Sequence, residues 1–290
     1  MTRLEARGLV KEYRSRSARL RAVDDVGFTL DHGRTVALVG QSGSGKSTIA
    51  RLLLQLERPT AGEILLDGRP VARRGAGLVR YRRLVQMVFQ DPFASLNPHH
   101  DVAHHLTRPL RLHHPELSRA DIDARVRQLL ERVQLDPGMA GRRPHELSGG
   151  QRQRVAIARA LAPSPGILIA DEPVSMLDVS IRLGVLNLLA TLQREEDLGV
   201  LYITHDLATA RHFSDDILVM YRGRIVERGP ADEVILNPKH EYTRLLADAT
   251  PSPARRFGPA AAAAAGPLGP AAASGPAVVP DPGLLGPQDA

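Results

Sequence analysis

The chain has 290 residues, 43% of them hydrophobic and only 3% aromatic, with no Trp, no Cys and a formal net charge of +6. That length is enough for one large domain or two modest ones, and the missing Cys excludes disulfides, thiolate metal sites and cysteine nucleophiles and fits a reducing cytosol. No apolar run approaches the ~18–20 residues of a membrane span, and Met1-Thr2-Arg3-Leu4-Glu5 is too charged for a secretory signal.

The residues before Thr35 alternate like short strands, with Phe28-Thr29-Leu30 running into a turn at Asp31-His32-Gly33. Thr35-Val36-Ala37-Leu38-Val39 reads as a buried parallel strand. It leads into Gly40-Gln41-Ser42-Gly43-Ser44-Gly45-Lys46-Ser47-Thr48, and a helical pattern follows from Ile49 to Leu56. Strand, G-x-x-x-x-G-K-[ST] and helix together make a phosphate-binding loop. Gly40, Gly43 and Gly45 let successive N–H groups point inward at phosphate oxygens, and the helix N-terminus adds partial positive charge. Lys46 is placed to reach the β- and γ-phosphates, and the Ser47 hydroxyl to ligate Mg²⁺. This stretch predicts nucleoside triphosphate binding.

Gly62 to Gly68 reads as a hairpin-like strand bounded by glycine. Gln90, in Val88-Phe89-Gln90-Asp91-Pro92, can serve as a neutral ligand for Mg²⁺ or water. A mostly helical stretch follows from 92 to 146, opened by Asn97-Pro98, with Ile122, Val126, Leu129, Leu130 and Val133 at helical spacing. Six of the eleven histidines fall between His99 and His114, a density that a solvated helical face explains better than a metal site. Leu147-Ser148-Gly149-Gly150-Gln151 then precedes a helical run, Arg152 to Ala162, and forms a second anion site of backbone donors, a hydroxyl and a helix dipole.

Ile167-Leu168-Ile169-Ala170 is a buried strand with Asp171 and Glu172 at its C-terminal end, where α/β sheets place their ligands. Asp171 would hold Mg²⁺ and Glu172 would polarise the attacking water. A helix follows from Ile181 to Glu195, and His205 ends the strand Leu201-Tyr202-Ile203-Thr204 at the same edge. Ile217 to Met220 and Arg224 to Glu227 are strands joined by a turn at Arg222-Gly223. The alternation predicts a mostly parallel α/β sheet with a helical insertion of about 92–160. Residues 251–290 are different: 27 of the 40 are Ala, Pro or Gly, too poor in large apolar groups to offset chain entropy, so a disordered tail is predicted.

With these motifs in this order, residues 3 to about 247 resemble the ATP-binding cassette (ABC) ATPases. Gly40 to Ser47 match the Walker A loop, Gln90 the Q-loop, Leu147 to Gln151 the signature, and Ile167 to Asp171 Walker B. Glu172 matches the catalytic glutamate, Ser175 to Asp178 the D-loop and His205 the switch histidine. Tyr13 falls where the family places an aromatic on adenine. The resemblance implies a RecA-like core with an N-terminal antiparallel β part. It also implies two ATPase subunits that sandwich ATP, each molecule between one subunit's Walker A and the other's signature.

Gln86 to Pro98 and Asn237 to Leu246 narrow the match to the second ATPase subunit of the oligopeptide/dipeptide/nickel importers. The implied partners are a second ATPase subunit, two membrane permease subunits and, indirectly, an extracytoplasmic binding protein, at the cytoplasmic face of the membrane. The cargo is peptide, with nickel or another small solute as the alternative. A soluble ABC ATPase of ribosomes or DNA fits less well, since one cassette is present and only about a hundred residues separate Walker A from the signature. The arginines at 14–21 and 69–83 carry no aromatic stacking surface, so nucleic acid is not an expected partner. Glu241 and Met176 depart from the usual Pro and Ala, and the cysteines some members carry after this segment are missing, which leaves no basis for an iron–sulfur site.

Overall fold

The computed structural model describes residues 2–14 and 19–249. It opens with two long strands, β1 (Arg3–Arg14) and β2 (Arg19–Asp31), followed by β3 (Thr35–Val39), α1 (Lys46–Leu53), β4 (Ala61–Leu66), β5 (Arg69–Pro70), α2 (Gly75–Leu84) and β6 (Val85–Val88). Helices then dominate: α3 (Pro92–Ser95), α4 (Val102–His113), α5 (Arg119–Arg132) and, after two 3₁₀ turns, α6 (Gly149–Leu161). The last part alternates β7 (Ile167–Asp171), α7 (Val179–Glu195), β8 (Gly199–Thr204), α8 (Leu207–Phe213) and β9 (Asp216–Tyr221), and ends in β10 (Arg224–Pro230), α9 (Ala231–Leu236) and α10 (Glu241–Ala249).

The six-stranded sheet has the order β10-β9-β3-β8-β7-β6, parallel throughout except for β10 at its edge. Its central strands are buried and almost wholly apolar between their polar end residues because both faces are covered. Period-two alternation decides which cover each side chain meets. Val36, Leu38, Ile169, Leu201 and Ile203 pack with α1 and with the second sheet, β2-β1-β4-β5. Ala37, Val39, Leu168, Val200 and Tyr202 pack on the other side with residues of α4 to α8. Each fully buried Leu or Ile contributes about 1.5–3 kcal/mol, so these two layers hold the sheet edge that carries the motifs.

Several elements differ from the sequence reading. The N-terminal strands are twelve and thirteen residues long rather than short. Their register shifts at bulges, and Gly8 and Asp25 adopt positive φ (53° and 54°), which breaks the alternation that would have marked them as continuous. The α2 helix was not predicted: Tyr81 is its only buried residue, so it shows almost no apolar period. The helical region opens at two points, under Asp91 and then under Asp101, whose carboxylates cap α3 and α4. Ile122, Val126, Leu129 and Leu130 form the buried face of α5, as their spacing predicts. No helix among the described residues is long and apolar enough to cross a membrane. The tail predicted for 251–290 lies outside the described residues.

Candidate active site

Parallel register places the motifs side by side. Val39 pairs with Thr204, Asp171 with Ile203 and Val88 with Ala170, so Gly40, Glu172, His205 and Gln90 all leave the sheet at one edge. The loop after β3 depends on glycine at close approaches. A Cβ on Gly40 would lie 2.3 Å from the Met220 carbonyl oxygen, and one on Gly45, at φ 113°, 2.3 Å from that of Ala22. Around the loop, Ser44 N–H donates to the Gln41 carbonyl (3.2 Å) and Gly223 N–H to that of Ser44 (2.9 Å). Ser42 and Gly43 are exposed at its tip, and Ser44 Oγ is buried with no hydrogen-bond partner among the described residues.

Lys46 is 6% exposed, and its ammonium donates to the carbonyls of Gly40 (2.6 Å) and Gln41 (3.0 Å). Burial pulls its pKa below the usual lysine value, and the charges of Glu172 and Asp171 oppose that shift. Ser47 and Thr48 follow in the first turn of α1, where backbone N–H groups lack helical acceptors.

Asp171 ends β7, and its pKa is pushed up to about 6, first by burial and then by the Glu172 charge, against the pull of Lys46 and Arg51. Glu172 follows in the left-handed region, φ 43°, with its N–H bonded to the Ile203 carbonyl at 2.9 Å. Both oxygens of its carboxylate are engaged. Gln90 Nε2 donates to Oε2 at 3.0 Å, and His205 Nδ1 lies 3.2 Å from Oε1. Ser47, Gln90 and Asp171 line one cavity of about 1030 Å³, which continues to His100, His104 and Arg108 of the α4 region.

Other predicted positions stand apart from this cluster. None of Ser148 to Gln151 lines that cavity. Ser148 caps α6 in a reciprocal box: its Oγ accepts from Gln151 N–H (3.3 Å), and its own N–H donates to Gln151 Oε1 (2.9 Å). Gly149 and Gly150 sit inside the first turn of α6, which begins three residues earlier than predicted. Gly150 is pressed against Ile181, where a Cβ would come within 2.6 Å of the side chain. Asp178 is exposed at the start of α7.

Tyr13 is partly buried beside α1. Its hydroxyl donates to Glu57 Oε2 at 2.5 Å. Lys11 Nζ stands 5.0 Å from the ring centroid, a partner that strand alternation gave no means of finding. The histidine stretch is not a uniformly solvated face. His99 and His104 are exposed, but His105 and His114 are buried at 8% and 9%, with His105 Nε2 3.1 Å from the Asn97 carbonyl. Within α4 the His104-His105 doublet explains part of this: adjacent helical residues point about 100° apart, so His105 turns inward while His104 faces out. Among the described residues no group of three or more His, Cys, Asp or Glu is arranged to hold a metal ion.

Fold and sheet edge together define a phosphate-loop α/β nucleotide-binding domain. Residues 23–175 match the family model of the ABC transporters. The chain is 47% identical over 250 residues to a di/tripeptide transport ATP-binding protein of Pseudomonas aeruginosa, covering 85% of this chain and 75% of the relative. It is 46% identical over 252 residues to an oligopeptide transport ATP-binding protein of Bacillus subtilis, covering 86% and 83%. Among solved structures it is similar to the dimeric ATP-binding cassette MJ0796 in a post-hydrolysis state bound to ADP and Pi. That match has a TM-score of 0.71 and 31% identity, and covers 79% of this chain and 98% of the other. The chain belongs to the ABC transporter family, in its group of peptide-import ATP-binding proteins.

Proposed function

We propose that the protein hydrolyses ATP at the edge formed by Gly40 to Thr48, Gln90, Asp171, Glu172 and His205, and so powers a peptide-type importer. The observation that carries this reading is the Glu172 carboxylate, held between Gln90 and His205 at the C-terminal end of β7. Glu172 orients and polarises the attacking water as general base. Gln90 and His205 fix its two oxygens, and His205 keeps Nε2 for the γ-phosphate. The loop N–H groups from Gly43 to Thr48 and the Lys46 ammonium take the charge that develops on the phosphoryl oxygens. Lys46 exchanges its carbonyl acceptors for phosphate when ATP binds, and Tyr13 stacks on the adenine.

The cofactor that fits is Mg²⁺. Ser47 hydroxyl, Asp171 carboxylate and Gln90 amide oxygen are hard donors that line one cavity, and the Asp171 and Glu172 carboxylates set negative charge beside it. When bound, the ion supplies charge neutralisation between the phosphate oxygens. Ser148 to Gln151 and Asp178 serve a second ATPase subunit, contacting the nucleotide on that subunit's loop. Two permease subunits anchor the pair to the cytoplasmic face of the membrane, and an extracytoplasmic binding protein delivers the peptide.

The test compares Glu172→Gln with the wild type. The amide keeps shape and hydrogen bonding but cannot take a proton, so ATP binding should persist while turnover falls on the order of 10²–10⁴-fold. Turnover at the wild-type rate would contradict the role of Glu172.

A further inference from the structure

We propose that Tyr242 is a positioning residue for the phosphate loop, its hydroxyl holding the Gln41 amide in the conformation that receives the triphosphate. The proposal rests on the ATPase reading above and adds a part of the chain, α10, that the reading does not use. Gln41 N–H donates to the Tyr242 hydroxyl oxygen at 3.0 Å, across 201 residues of sequence. Gln41 is the node of the loop, because its carbonyl also accepts from Ser44 N–H and from the Lys46 ammonium. A rotation at Gln41 therefore moves both the loop tip and the lysine.

The tyrosine is itself held. Its ring is 7% exposed and stacks on Tyr221, centroids 4.2 Å apart and planes 28° from parallel. Tyr221 ends β9, two residues before Gly223, whose N–H takes the Ser44 carbonyl. The stretch from Gln41 to Ser44 is thus gripped at each end by groups that belong to one packed unit. The start of α10 is pinned in turn, since Glu227 accepts from Lys239 N–H (2.8 Å) and His240 N–H (3.0 Å), and Tyr242 N–H donates to His240 Nδ1 (3.1 Å). Burial pushes the Glu227 carboxyl up, but these backbone donors outweigh it and hold it below the usual carboxylate range. Glu227 stays charged and keeps the bracket closed.

A loop ordered before ATP arrives binds without paying the ordering entropy at that moment. Tyr242 touches none of the reacting atoms, so its effect belongs in affinity and not in the chemical step. Tyr242→Phe keeps the ring and its stacking and removes only the hydroxyl. The expected result is a rise of about three- to tenfold in the Kd for a fluorescent ATP analogue and in KM for ATP, the size set by one net hydrogen bond, with kcat within about twofold and an unchanged melting temperature. Glu227→Gln should raise Kd in the same direction by a smaller factor. Tyr242→Phe with wild-type Kd and KM would overturn the proposal, as would a loss confined to kcat. So would a Tyr242→Ala protein that melts early yet binds the analogue as the wild type does, since the ring would then be packing alone. A wild-type chain that binds no nucleotide would refute the ATPase reading instead.

Discussion

The phosphate loop and Ser148 to Gln151, the two segments proposed to meet ATP, are held in opposite ways. The phosphate loop is shaped from outside, by close approaches to Ala22 and Met220, by Gly223 and Tyr242, and by the buried ammonium of Lys46. Ser148 to Gln151 is shaped from within, by its own capping box at the start of α6. A site made by tertiary contacts is complete only in the folded domain. A capped helix end carries its geometry locally and can be offered to another molecule. On the proposed reading, the difference lets one chain supply two unlike halves of a nucleotide site.

Removing Lys46 should separate the halves most sharply. Lys46→Ala loses a charge-assisted contact to phosphate, so ATP affinity should fall by roughly 10–100-fold. The α6 cap should stand, so equilibrium titration with labelled ATP should register the loss while the melting temperature stays close to wild type. Unaltered affinity would remove the lysine from the site.

Asp171 offers the next largest effect, and with the opposite sign for stability. The native chain holds its proton up to about pH 6, while the unfolded chain releases it near 3.8. Stability therefore falls as pH rises between those values, and above pH 6 the ionised buried carboxylate costs a constant amount, roughly 2–3 kcal/mol. Asp171→Asn carries no such cost. Without nucleotide or metal it should melt above the wild type at neutral pH, with the gap closing below about pH 4, while its ATPase activity is lost. A gap independent of pH would show that the burial of this charge is not the cause.

Much of this was legible in the sequence, and the reason is local. The buried strands Thr35–Val39 and Ile167–Asp171 are continuous apolar runs, and Gly40 to Thr48 joins strand to helix with fixed spacing, so order and edge followed from pattern. The cap at Ser148 was not placed, because Gly149 and Gly150 are poor helix formers and moved the expected start to Arg152. Long-range partners were hidden. Nothing near Gln41 points to Tyr242, and nothing near Tyr13 points to Glu57, because those pairs are set by how sheets stack. The α2 helix was missed because it buries little beyond Tyr81.

The smallest effect concerns the local segment. Ser148→Ala should cost about 1 kcal/mol of stability through the lost cap, seen as a modest shift in the denaturation midpoint. The single chain's affinity for ATP should not move. A loss of ATP binding in the isolated chain would tie the two segments together within one molecule and erase the distinction between them.

The central claim is that the loop of one subunit and Ser148–Gln151 of another close on the same ATP. It is tested most directly by placing Ser148→Arg in the Glu172→Gln chain and measuring mass by light scattering after size exclusion in Mg-ATP, with the second ATPase subunit added where the pair is mixed. Glu172→Gln alone should elute as a locked pair. The double variant should bind ATP equally well and remain unpaired. Persistence of the pair despite Ser148→Arg, or failure of Glu172→Gln to pair while ATP is bound, would contradict the account.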